Sequence, residues 1–289
     1  MIISASRRTD IPAFYGEWFA ARIREGWCEV ANPFNSKQIT PIDLGPEAVD
    51  AIVFWTRNAS RFGECMDMLD SRGYKYYFNY TLNNYPEYLE PHGKSTAEAI
   101  ADFEKLSGRI GPERVVWRYD PIILAGELDF SYHIKIFSEL VNNLSGMTRR
   151  AITSIATPYR KTRSRLVRAG LERLCESPEG SELQRLIGAM SEITTAKGIE
   201  LRVCSSPIEF ASAPPAKCLD DEILRAIGVN IKYIKDKSQR AECCCTRSRD
   251  IGAYDCCPRG CLYCYAVSSH KRVADRIRKH EPTSPRLIP

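Results

Sequence analysis

Strand-like and helix-like segments alternate six times over the first 206 residues of this 289-residue chain. The predicted strands are short, rich in β-branched or aromatic residues, and flanked by polar or turn residues. They cover residues 2–6, 51–56, 75–82, 114–122, 151–157 and 199–205. The predicted helices between them cover residues 12–25, 60–71, 95–110, 129–144, 159–175 and 181–197. This alternation predicts parallel strands joined by helical crossovers, the pattern of an α/β fold.

The number of repeats limits which α/β architectures the chain can form. A closed eight-stranded barrel usually needs about 250 residues of repeat. Six repeats in residues 1–206 therefore favour an open, partial (β/α) barrel, with a flavodoxin-like open sheet as the alternative. We predict that residues 207–289 form a Cys-rich extension with short helices near 220–228 and 267–280, and that it forms one functional unit with the barrel.

Cysteine is concentrated in one part of the chain, since seven of the twelve cysteines fall between positions 243 and 264. The N-terminal residues show neither a secretory signal nor an apolar run near the ~18 residues of a membrane span. We therefore expect a cytoplasmic protein without a membrane partner, where thiols stay reduced and clustered cysteines usually bind metal. The net charge of +5 permits an anionic substrate without requiring nucleic acid.

A three-cysteine loop lies near the C-terminus. Cys257, Cys261 and Cys264 are spaced C-x3-C-x2-C. Three thiolates on so short a loop can each hold one iron of a [4Fe-4S] cluster, which leaves the fourth iron free for a small molecule. Zinc is the alternative, but zinc ribbons use paired C-x2-C knuckles, and only Cys261 and Cys264 have that spacing here.

With the aromatic Tyr263 before its last cysteine, this loop resembles the signature of the radical S-adenosylmethionine (SAM) superfamily. The resemblance implies a six-stranded partial barrel and a [4Fe-4S] cluster whose open iron binds SAM, with Tyr263 near the adenine. It implies an enzyme that reductively cleaves SAM to start radical chemistry on an unknown substrate. It also implies a low-potential electron donor, a flavodoxin or a ferredoxin. In most of that superfamily the loop follows the first strand, whereas here it follows all six repeats and must return to the barrel mouth.

Most of the chain also resembles an uncharacterised prokaryotic family defined as a domain of unknown function. The shared pattern consists of the cysteine loop and of the segments RTDIP at 8–12, NPFN at 32–35, FWTRN at 54–58, WRYDP at 117–121 and DIGAY at 250–254. This resemblance supports the fold and the cofactor, but it implies no substrate.

Ligand-contacting residues of (β/α) barrels gather at the C-terminal ends of the strands. Here these ends carry polar, charged and aromatic side chains that we predict to bind SAM or substrate: Asp10, Trp55, Asn79, Thr81, Arg118 and Asp120. An arginine would hold a carboxylate, an aspartate would accept hydrogen bonds from ribose hydroxyls, and Trp55 would stack on a base. The alternative is that Arg118 and Asp120 form an ion pair that only closes the barrel end.

Four further cysteines could form a second metal site: Cys204, Cys218, Cys243 and Cys245. They would bind an auxiliary [4Fe-4S] cluster or a structural zinc ion. Cys244 and Cys256 are spare, and either could replace its neighbour. The alternative function is a non-catalytic zinc or iron–sulfur module that binds nucleic acid through its basic C-terminal segment. Such a module needs closed four-ligand sites, whereas the radical enzyme needs an iron that SAM can reach.

Overall fold

A computed structural model of the chain describes residues 1–157, 159–176 and 178–289. The strands in these ranges are β1 Ile2–Ala5, β2 Trp27–Asn32, β3 Asn35–Asp43, β4 Ala51–Thr56, β5 Tyr76–Thr81, β6 Val115–Ile122, β7 Arg150–Ile155, β8 Glu200–Val203 and β9 Arg249–Asp250. Seven of them form one sheet in the order β8-β7-β6-β5-β4-β1-β9, and every neighbouring pair is parallel. The other two, β2 and β3, form an antiparallel hairpin.

The predicted helices are present, with two differences. The helices are α1 Ile11–Phe14, α2 Gly16–Glu25, α3 Gly63–Ser71, α4 Thr96–Ile110, α5 Phe130–Leu144, α6 Arg160–Arg168, α7 Gly180–Thr195, α8 Asp221–Ala226 and α9 His270–Ile277. The helix predicted at 12–25 is divided at Tyr15, whose backbone leaves the α region. The helix predicted at 159–175 ends at Arg168, because Gly170 adopts φ +69° and the chain then forms a short 3₁₀ turn. Within the described ranges, no helix combines the length and apolar character needed to cross a membrane.

Two elements were not predicted from the sequence. The β2–β3 hairpin was missed because β3 is almost entirely exposed and polar, so it lacks the alternation that marks a half-buried strand. Strand β9 was missed because it is only two residues long. It nevertheless extends the sheet by one strand beyond β1.

The two faces of the sheet are covered by different parts of the chain. On one face, side chains such as Phe54 and Phe78 pack against the helices in the main hydrophobic core. On the other face, Val53 and Tyr77 share a cluster with Cys204 and with residues of the extension, among them Leu219 and the other three cysteines of the predicted second site. Because the strands follow chain order, the sheet is consistent with the predicted partial barrel and not with the reversed order of a flavodoxin-like sheet.

Asp250 attaches the extension to the first strand. Its carboxylate accepts hydrogen bonds from the hydroxyls of Ser4 at 2.7 Å and Ser6 at 2.8 Å, and from the backbone N–H of Arg7 at 2.9 Å. Strand β9 therefore runs parallel to β1, and the chain leaves it at the C-terminal end of the sheet. The three-cysteine loop follows a few residues later, so it reaches the barrel mouth as the sequence analysis required.

The close approach of β9 to β1 predicts that Gly252 tolerates no side chain. A Cβ at Gly252 would lie 2.1 Å from Ser6 Oγ and 2.6 Å from Ser6 Cβ. We expect Gly252→Ala to lower the free energy of unfolding by about 1–3 kcal/mol, measured by urea denaturation, because overpacking displaces the neighbouring backbone. Gly188→Ala is the control: nothing lies within 4 Å of its Cβ inside α7, and it should raise stability by about 0.5–1 kcal/mol. Equal stabilities of the two variants would contradict this account.

Candidate metal and cofactor site

A large cavity lies at the C-terminal ends of the strands, where ligand contacts were predicted. Its volume is about 1240 Å³, and both cysteine groups line it. The strand-end side chains Trp55, Thr81, Arg118 and Asp120 contribute to the same wall. Pockets for one drug-sized ligand typically measure about 300–1,000 Å³, so this chamber has room for more than one small molecule.

Three cysteines of the C-terminal loop face the chamber. Cys257, Cys261 and Cys264 are half-buried and line its wall. Their neighbour Cys256 is completely buried in the main core, with its Sγ 3.0 Å from the carbonyl oxygen of Ala253. The structure therefore assigns the packing role to Cys256 and turns the C-x3-C-x2-C set toward the cavity.

The environment of these thiols favours their neutral form when nothing is bound to them. Burial, together with the neighbouring Cys261, raises the pKa of the Cys264 thiol to about 11. Burial also raises the pKa of Cys257 and of Cys261. A metal that binds all three as thiolates must therefore displace protons, which makes binding stronger as pH rises.

Asp10 fixes the cysteine loop to the barrel. Its Oδ1 accepts a hydrogen bond from the Thr56 hydroxyl at 2.7 Å, and its Oδ2 accepts one from the Arg57 backbone N–H at 3.0 Å. The same Oδ2 is 3.0 Å from Nη2 of Arg259, which lies between the first two loop cysteines. We predicted Asp10 as a cofactor contact. Since Asp10 borders the chamber, that contact stays a prediction, while the hydrogen bonds that its carboxylate accepts from protein donors position the loop.

Tyr263 is held by a network on the chamber wall. Its hydroxyl accepts a hydrogen bond from Arg57 Nη1 at 3.0 Å and is also hydrogen-bonded to the Glu90 carboxylate. Arg57 Nη2 pairs with Glu90 at 2.6 Å, and Nη1 lies 3.4 Å from the Sγ of Cys261. Burial raises the pKa of Tyr263 well above that of a free phenol, so the group stays neutral. The ring packs edge-on against Tyr85, which fixes its orientation.

Arg165 clamps the loop from the outside, and the sequence analysis missed it. Its Nε donates to the carbonyl of Leu262 at 3.0 Å, and its two terminal nitrogens donate to the carbonyls of Val267 and Cys264. Its side chain is buried, although it belongs to the basic helix α6, where Arg168 is exposed. Nothing in the local sequence distinguishes Arg165 from its neighbours, because its three acceptors lie about one hundred positions further along the chain.

The strand-end residues divide between ligand-facing and supporting positions. Arg118 Nη2 pairs with Asp120 at 2.8 Å, so the ion pair considered as an alternative does form. Asp120 remains half-buried on the chamber wall, as do Trp55 and Thr81. Asn79, predicted as a cofactor contact, is completely buried outside the cavity lining, and its amide donates to the carbonyl of Cys218 at 3.0 Å. Asn79 thus supports the second cysteine group.

The structure brings the four remaining candidate cysteines together. The Sγ atoms of Cys204 and Cys218 are 3.3 Å apart, and the backbone N–H of Cys218 donates to the Sγ of Cys245 at 3.2 Å. Cys243 and Cys245 are both buried in the same cluster. Cys244 is half-buried, with its Sγ 3.6 Å from the Glu242 carbonyl.

Comparison with protein families places this arrangement in a defined group. A family model described as "Domain of unknown function (DUF1848)" matches residues 2–266. The chain belongs to this family. The match includes the whole barrel and both cysteine groups, and the family's description states no reaction. No curated protein and no solved structure matches the chain.

The cysteine side chains of this DUF1848 chain can be compared with the ligands that the predicted cofactor needs. In the described ranges, no three His, Cys, Asp or Glu side chains already surround a position for a single metal ion. A [4Fe-4S] cluster does not require such a position, because each of its cysteines binds a different iron. The three loop thiols face open cavity space and are half-buried, so their chemistry and placement fit a cluster with one accessible iron.

The contacts of Arg165 predict that the cysteine loop of this DUF1848 protein loses order without it. Arg165→Met keeps the aliphatic stem but removes three hydrogen bonds to loop carbonyls. The contact with the Val267 carbonyl is buried, and leaving such an acceptor unpaired costs about 1–3 kcal/mol, whereas the two part-buried carbonyls can be hydrated and cost less. We therefore expect a loss of roughly 2–4 kcal/mol and faster amide hydrogen exchange at 262–267. Arg168→Met, on the exposed face of the same helix, should change neither quantity. Unchanged amide hydrogen exchange at 262–267 in Arg165→Met would show that Arg165 does not order the cysteine loop.

Proposed function

We propose that this DUF1848 protein is a radical SAM enzyme that reductively cleaves S-adenosylmethionine at a [4Fe-4S] cluster held by Cys257, Cys261 and Cys264. The observation that carries the proposal is that these three thiols face a large chamber, whereas the adjacent Cys256 is turned into the core. When bound, the cluster supplies the electron that breaks the sulfonium bond of SAM and so starts radical chemistry on a substrate.

The protein's part is to hold and shield that site. Asp10, Arg259 and Arg165 fix the loop backbone through charged hydrogen bonds. Arg57 Nη1, 3.4 Å from the Sγ of Cys261, places a positive charge beside a thiolate ligand. Such N–H···S contacts stabilise the negative charge of a bound cluster and tune its reduction potential.

The chamber supports the presence of a second reactant. At about 1240 Å³ it exceeds the usual volume for a single ligand, which supports our expectation that a substrate binds beside SAM. Trp55 offers an aromatic face, and Asp120 and Thr81 offer hydrogen-bonding groups from neighbouring strands. Side chains fixed by a rigid sheet position reactants more precisely than side chains on loops.

The unusual position of the loop in the sequence does not prevent this assignment. Strand β9 lies at the edge of the sheet, parallel to β1, and the loop follows it at the C-terminal end. The loop therefore follows a parallel strand at the barrel mouth, even though that strand is the last of the chain. A low-potential electron donor, a flavodoxin or a ferredoxin, completes the proposal.

The alternative, a non-catalytic module that binds nucleic acid, is less well supported. Such a module would present a closed metal site beneath an exposed basic surface. Here the loop thiols line an interior chamber shared with polar strand ends, which favours a small-molecule reaction.

Substitution of a loop cysteine tests the proposal. We expect Cys261→Ala, reconstituted with iron and sulfide without oxygen, to lose formation of 5′-deoxyadenosine from SAM to background, because one iron loses its ligand. Circular dichroism should show an unchanged fold, since this residue is half-buried on a loop. Cys256→Ala, which removes the neighbouring core thiol, should retain both SAM cleavage and the effect of SAM on the EPR spectrum of the reduced protein.

Normal SAM cleavage by Cys261→Ala would rule out this cluster assignment. A wild-type protein that binds zinc alone and shows no response to SAM would instead favour the non-catalytic module.

A further inference from the structure

Four thiols from three distant segments meet on the inner face of the sheet. Cys204 follows β8, Cys218 precedes α8, and Cys243 and Cys245 lie shortly before β9. Each of the four is buried, with at most 9% of its surface exposed. Neither local sequence nor one regular element brings these residues together, so the fold itself assembles the group.

The orientation of adjacent side chains selects two of the three consecutive cysteines. Cys243 and Cys245 belong to the buried cluster beneath the sheet. Cys244, between them, is half-buried and its Sγ faces the carbonyl of Glu242. Cys243 and Cys245 occupy alternate positions and are both buried, so this segment delivers two thiols to the same cluster. A run of core residues alone would not explain why both inward positions are cysteine.

Hydrogen-bond donors surround the group. Arg118 Nη1 lies 2.8 Å from the Sγ of Cys218. Arg7 lies close enough to interact electrostatically with Cys245, Cys218 and Cys243. Its Nε and Nη2 are buried and have no hydrogen-bond partner among the described residues. A buried donor without an acceptor lowers stability by about 1–3 kcal/mol. An acceptor near these N–H groups, which the described protein atoms do not provide, would remove that cost.

We infer that Cys204, Cys218, Cys243 and Cys245 form a second metal centre, a tetrathiolate site distinct from the three-cysteine loop. Binding converts four thiols to thiolates and releases their protons. The resulting negative charge gives the unpaired N–H groups of Arg7 an acceptor and strengthens the existing contact between Arg118 and Cys218. One tetrahedral zinc ion and one cubane iron–sulfur cluster are both bound by four thiolates, so this ligand chemistry is the same for either occupant.

In the described ranges no three of these thiols already surround one point, so their side chains must rotate when metal binds, and they rotate less for a single zinc ion than for a cubane, whose thiolates each bind a different iron. Two thiolates on one tetrahedral zinc ion lie about 3.8 Å apart, given bonds of about 2.3 Å. The Sγ atoms of Cys204 and Cys218 are 3.3 Å apart, so a modest rotation opens the site. The centre would link the extension, which has only α8 and β9 before the cysteine loop, to the end of β8. It would thereby hold the chamber wall that both cysteine groups share.

The test measures the metal bound per chain in the full-length protein after the three loop cysteines have been removed. The variant carrying Cys257→Ala, Cys261→Ala and Cys264→Ala is expressed and purified without oxygen. Zinc, iron and acid-labile sulfide are measured per chain. We expect one zinc ion, or about four iron and four sulfide, to remain. In this background, Cys218→Ala or Cys245→Ala should remove that metal, whereas the matched control Cys244→Ala should retain it.

A second measurement needs no substitution among the four cysteines of the proposed second site. Cobalt(II) is titrated into the same loop-cysteine variant after chelation of its metal, and the thiolate-to-cobalt absorption band is recorded. One equivalent should give the intense absorption of a tetrahedral thiolate site. Absence of both retained metal and this band would overturn the inference, as would equal metal content in Cys245→Ala and Cys244→Ala. A Cys204–Cys218 disulfide in reductant-treated protein would also overturn it. None of these results depends on SAM cleavage, so the inference and the proposed function can fail separately.

Discussion

The carboxylate of Asp250 holds the C-terminal segment against the barrel, and the position of both cysteine groups depends on that attachment. It accepts hydrogen bonds from the hydroxyl of Ser4 in the first strand, from the hydroxyl of Ser6 just after that strand, and from the backbone of Arg7. Hydrogen bonds to an ionised acceptor are roughly twice as strong as neutral ones. Through them a two-residue strand, too short to be stable alone, becomes the edge of the sheet. The loop that follows is thereby delivered to the barrel mouth.

The chamber exists because the inner face of the sheet is covered by an irregular extension and the outer face by helices. The chamber wall carries charges that an apolar core would not tolerate, and three arginines there are paired: Arg118 with Asp120, Arg57 with Glu90, and Arg259 with Asp10. Pairing offsets the cost of burying these groups. It also fixes their geometry, which is what a site that must orient two reactants requires.

Much of the fold could be predicted from the sequence, because strands β1 and β4 to β8 and the helices between them show clear local patterns. The β2–β3 hairpin was not predicted, because its second strand is polar and exposed. In the site, the C-x3-C-x2-C loop was visible because its spacing is local. Arg165 and Glu90 were not visible, because each acts on residues about one hundred or more positions away.

The sequence by itself determined a parallel α/β architecture and a concentration of thiols suited to metal, since hydrophobic periodicity and ligand spacing are short-range properties. Only the tertiary structure decided which thiols face the chamber: Cys257 and not the core residue Cys256, and Cys243 and Cys245 and not Cys244. It also decided that Asn79 lies outside the chamber and supports the second cysteine group through the Cys218 carbonyl. The reason is physical: the direction of a side chain is set by the segments packed around it, and here those segments are far apart in the chain.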